Sequence, residues 1–82
     1  MNRDWVLSNL REAQEELNST IAEIEADPEY DVGEFMIAMQ HIYDHLNTAW
    51  NSRDEGTARV QACTEDDFYA WRRFPDDIDL GR

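Results

Sequence analysis

One run of residues limits the fold more than any other. Between residues 32 and 53, Val32, Phe35, Met39, Ile42, Leu46 and Ala49 recur at alternating spacings of three and four, while Met36, Tyr43 and Trp50 form a second row seven residues apart. That is the period of an amphipathic helix, and its apolar stripe is wider than contact with one neighbouring helix requires. Two antiparallel helices bury a narrow seam and leave the flanking row wet. A third layer has to cover Met36, Tyr43 and Trp50, and it is either the C-terminal segment or a second copy of the chain.

The partner for that helix precedes it. Over residues 3–26, Val6, Leu10, Ala13, Leu17, Thr20 and Ile24 repeat at spacings of four and three, Leu7 and Ile21 widen the stripe, and no glycine or proline interrupts it. Pro28 disfavours helical geometry in the residue before it, so this helix is expected to end near Ala26. Asp31 followed by Glu34 resembles an N-terminal capping box with aspartate in place of serine or threonine. A connection of about five residues favours an antiparallel hairpin. Gly56 is expected just past the end of the second helix, as a C′ residue. Residues 57–63 are ambiguous, because Ala58, Val60 and Ala62 alternate like a strand with nothing to pair against. Thr64 with Asp67 marks another helix start, and Phe74-Pro75 stops it. The expectation is an all-α fold: a helical hairpin (3–26 and 32–53, within residues 1–56), then an aromatic segment and acidic tail (57–82) carrying a short helix at 65–73, the whole assembling as a helical bundle.

Charge separates the function classes. With 82 residues the chain is one small domain, and its net charge is −12. All seven basic residues are arginine, and residues 1–27, 28–55 and 56–82 carry −5, −5 and −2. Direct nucleic-acid binding needs a basic face and is not expected. The acidity suits three roles: solubility or habitat, attraction to a cationic protein, or imitation of a nucleic-acid backbone. The last two describe an acidic inhibitor or decoy, of the antitoxin, immunity-protein or nucleic-acid-mimic kind, presenting Glu12, Glu15, Glu16, Glu23 and Glu25 to a basic nuclease, toxin or DNA-binding protein. No apolar run approaches the ~18 residues that span a bilayer, so no membrane association is expected. No secretory leader is visible, and a single cysteine, Cys63, excludes an internal disulfide and suits a reducing compartment; a cytoplasmic location is expected.

Catalytic constellations are weak. His41 and His45 stand four apart, a spacing that can clamp a metal from one helix face. They lack both the H-E-x-x-H arrangement and a Glu-x-x-His step, and the helical wheel sets His45 beside the apolar stripe and His41 nearly opposite it, so that the pair points outward. Cys63 has only Arg59, four residues earlier, to lower its pKa. The serines have no nucleophile-elbow context, and there is no phosphate-cradling glycine loop. The expectation is a protein that is not an enzyme and carries no cofactor.

The densest signal is aromatic. Phe68, Tyr69, Trp71 and Phe74 fall within seven residues, interrupted by Arg72 and Arg73. As a lid they would pack onto Met36, Tyr43 and Trp50; as an arm they would dock on a partner, with tryptophan and arginine as favoured anchors. Trp50, flanked by Asn47, Asn51 and Arg53, is a second candidate anchor. The function expected from the residues is a self-associating acidic interaction module, a homodimer in the simplest case, that binds a protein partner through Trp50, Phe68, Tyr69, Trp71, Arg72, Arg73 and Phe74.

Overall fold

The computed structural model describes residues 1–81, and Arg82, counted above with the tail, lies outside them. The fold is all-α. Helices α1 (Arg3–Ala26) and α2 (Val32–Asn51) pack as an antiparallel hairpin, followed by α3 (Thr57–Gln61) and α4 (Glu65–Trp71). Asn2 caps α1, its side-chain oxygen accepting from the Trp5 amide at 3.2 Å. Asp31 caps α2 by accepting from the Glu34 amide at 2.9 Å. Thr64 and Asp67 form a reciprocal capping box on α4, satisfying two amides that have no partner inside the helix. No helix among the described residues is long and apolar enough to cross a membrane.

Three boundaries differ from the sequence pattern. Helix α2 stops at Asn51 rather than 53, because Ser52 turns out of the helix and becomes a junction. It is fully buried, its hydroxyl donates to the Thr48 carbonyl, and it accepts the Trp5 indole N–H at 2.8 Å. Gly56 has φ −74° and is the N-cap of α3, so it does not fill the left-handed C′ role expected of it. Residues 57–61 are one helical turn, and α4 ends at Trp71, two residues before the expected limit.

The hairpin seam is also rotated from expectation. The buried residues of α1 are Asn9, Ala13 and Thr20, and α2 contributes Ile42 and Ala49. Leu10, Leu17, Ile21 and Ile24 stay 42–53% exposed. At 100° per residue, Leu10, Leu17 and Ile21 lie about 40–80° around α1 from Ala13. The helices meet through small side chains and leave the aliphatic row on one flank.

The third layer is built by α4 and the residues after it. Trp71 is buried, and three amide hydrogen bonds strap the segment to α2. Asn47 Nδ2 donates to the Arg72 carbonyl at 2.9 Å; Asn51 Nδ2 donates to those of Trp71 and Arg73 at 2.7 and 2.6 Å. Beyond the strap, Phe74 packs on Tyr43 with ring centroids 4.9 Å apart, and the Trp50 indole donates to Asp77 at 2.9 Å. The lid therefore reaches Tyr43 and Trp50 but not Met36, which remains 58% exposed.

Candidate interaction surfaces

The two flanks of the hairpin differ in chemistry. On α1, Leu10, Leu17, Ile21 and Ile24 form the exposed aliphatic row. On α2, Phe35, Met36, Tyr43 and Leu46 form another. Each row is displaced in the same rotational sense from its own seam residue, Ala13 or Ile42. Because the helices run antiparallel, equal rotational sense puts both rows on the same side of the hairpin. The carboxylates are elsewhere. Around α1, Glu12, Glu15, Glu16 and Glu23 fall about 120–160° from the row, as do Glu34 and Asp44 around α2, and only Glu25, at the last turn, comes as near as about 60°. Glu12, Glu15, Glu23 and Glu25 are exposed, and Glu16 is half-buried beside His41, with Oε1 to Nδ1 at 3.8 Å. An acidic molecule thus keeps one long face almost free of charge.

The opposite flank carries α3 and α4, while the end of the C-terminal segment comes round α2 to Tyr43 and Trp50 at the edge of the apolar face. Between these two short helices and the hairpin lies a cleft of about 350 Å³ whose lining includes Trp5, His41, His45, Cys63, Phe68 and Trp71. The two histidines, expected to face outward, line this cleft, with His45 half-buried. Among the described residues no three His, Cys, Asp or Glu side chains converge as metal ligands would. The Cys63 thiol donates to the Thr64 carbonyl at 3.4 Å rather than to an imidazole. At the far end of the segment, Arg59 pairs with Asp67. That guanidinium, with the Thr64 amide, holds the Asp67 carboxyl well below the usual carboxylate range, and Asp67 in turn raises Arg59.

The aromatic candidates divide by exposure. Trp71 is buried and Trp50 half-buried, with the Arg53 guanidinium 3.9 Å from the Trp50 ring centre. Phe68, Tyr69 and Phe74 are half or more exposed, and Arg73 is open. Arg72 lies over the Phe68 and Tyr69 rings at 4.9 and 5.3 Å, its Nε 3.9 Å from Asp44. These residues make a rim on which two rings and a cation face outward together.

Sequence reasoning missed the role of Asn47 and Asn51. Read as a solvated or recognition surface, they are instead the donors that tie the C-terminal segment down. The available signal was their i,i+4 spacing on the face between the apolar rows and the histidines, where two amides meet an irregular chain with free carbonyls. No protein-family model, curated protein or solved structure matches this chain.

Proposed function

We propose that this chain is a non-enzymatic, acidic protein–protein interaction module that associates with itself and offers a protein partner the rim formed by Phe68, Tyr69, Arg72, Arg73 and Phe74. The carrying observation is the hairpin's apolar face, which the carboxylates of α1 and α2 largely avoid. Eight large side chains there are 40–58% exposed, whereas the largest apolar patch of a typical monomer is about 300–600 Å². The lone, exposed Cys63 supports a cytoplasmic site of action.

Sedimentation velocity at tens of micromolar, in low and in molar salt, tests the reading. Self-association that persists in high salt is expected, because apolar contact survives screening. A monomer in both conditions overturns it.

The segregation of Glu12, Glu15 and Glu23 onto the opposite half of α1 favours a second reading, capture of a basic protein. That complex would weaken steeply between low and high salt. Salt-insensitive capture would place binding on the aromatic rim instead.

A further inference from the structure

We infer that the apolar face of the hairpin is a two-fold symmetric homodimer interface, in which α1 and α2 of two copies stack as a four-helix bundle and α3 and α4 of both lie on the outside. The inference rests on the self-association reading and specifies its surface and geometry.

Three quantities carry it. First, the chain exposes 6336 Å², against about 5,100 Å² for a compact monomer of its 9.7 kDa mass. Its radius of gyration is 14.6 Å, against about 11.7 Å for a compact chain of 82 residues. The monomer is more open than a compact chain of its size. Second, the eight exposed side chains, taken as roughly 200–250 Å² each when free, leave about 800 Å² per protomer, so two copies would bury about 1,600 Å², the size of a stable specific interface. Third, a two-fold contact sets the same patch against itself, so a patch bearing net charge would repel its copy. Glu25 apart, the carboxylates that α1 and α2 contribute to a net charge of −12 are turned away from this patch. That arrangement suits a second copy, whereas a basic partner would need acids there. The remaining like charges sit outside the contact, so added salt should strengthen the dimer.

The geometry also fixes a distance. Cys63 is exposed on the flank opposite the apolar face. Packed helical layers lie about 8–10 Å apart, and three such steps separate the two outer layers, so the two Cys63 positions should be about 25–30 Å apart.

The experiment combines variants with that distance. Leu17→Glu and Met36→Glu should each convert the dimer to a monomer in sedimentation while circular dichroism keeps its helical signal. Spin labels on the native Cys63 should report a separation of about 25 Å or more in the wild-type dimer. A dimer that survives both substitutions overturns the inference. So does a label separation below about 20 Å, which would put α3 and α4 in the contact. A dimer lost instead on Phe68→Ala with Tyr69→Ala also overturns it, while leaving the self-association reading standing. A wild-type monomer removes both. Should a glutamate variant lose its helical signal, the label distance in the unaltered chain decides.

Discussion

Removing the amides of Asn47 and Asn51 should release the C-terminal segment without unfolding the hairpin. Together they donate three hydrogen bonds to the carbonyls of Trp71, Arg72 and Arg73. A typical internal hydrogen bond contributes about 0.5–1.5 kcal/mol net, and a carbonyl stranded away from water costs about 1–3 kcal/mol. Asn47 is buried, so its loss falls toward the upper end. The bond from Asn51 to Arg73 is exposed, and water recovers part of it. The double variant Asn47→Ala with Asn51→Ala should therefore weaken docking of the segment by roughly 2–4 kcal/mol. A domain of this length has about 4–12 kcal/mol of total stability, so the change is large but local. At a tenfold change per 1.4 kcal/mol, the amides of residues 67–71 should exchange about 30- to 700-fold faster. Hydrogen-exchange mass spectrometry on peptides spanning 64–74 and 33–46 reads both regions in one experiment, with Asn18→Ala on exposed α1 surface as a control. Unchanged protection at 67–71 would refute the strap. Equal loss of protection at 33–46 would show that the segment and hairpin open as one unit.

Other expectations follow from single contacts. Thr64→Ala removes one half of the α4 capping box and should lower stability by about 1 kcal/mol in urea denaturation, with the loss concentrated in the exchange of α4 amides. The Asp67 carboxyl is held below its ordinary value in the folded chain, first by Arg59. Its contribution is present in full above the ordinary carboxylate pKa near 4 and is lost as pH falls from there through the folded value, so Asp67→Asn should flatten the acid limb of a stability-versus-pH curve. Among the described residues the buried Tyr30 hydroxyl has no hydrogen-bond partner, so Tyr30→Phe should leave the thermal midpoint unchanged or raise it; a clear drop would reveal a partner.

Much of this architecture was legible in the residues, for identifiable reasons. Pro28 and the Asp31 cap bracket the hairpin turn through local backbone chemistry, and Thr64 with Asp67 marks α4 in the same way. Periodicity located both long helices and the excess width of the apolar stripe on α2. It could not fix the rotation of the seam. Leu10, Leu17 and Ile24 are more apolar than Asn9 and Thr20, yet the latter pair is buried, because the small seam residues Ala13 and Ala49 let the helices meet on that side and Asn9 can donate to the Trp5 carbonyl at 3.1 Å. The strap was hidden for a different reason: an amide bonded to a carbonyl 25 residues away leaves no local pattern. The aromatic cluster was visible as a cluster, but its division into the buried Trp71 and the outward Phe68 and Tyr69 depends on where α4 lands.

The narrow contact between α1 and α2 has a thermodynamic consequence. Ala13, Thr20 and Ala49 supply little adhesive surface, so much of the grease that would hold this hairpin shut lies outside it. Pairing through the inferred face would add to the hairpin's own stability, so the midpoint of heat unfolding should climb as the protein is made more concentrated and slide downward on dilution.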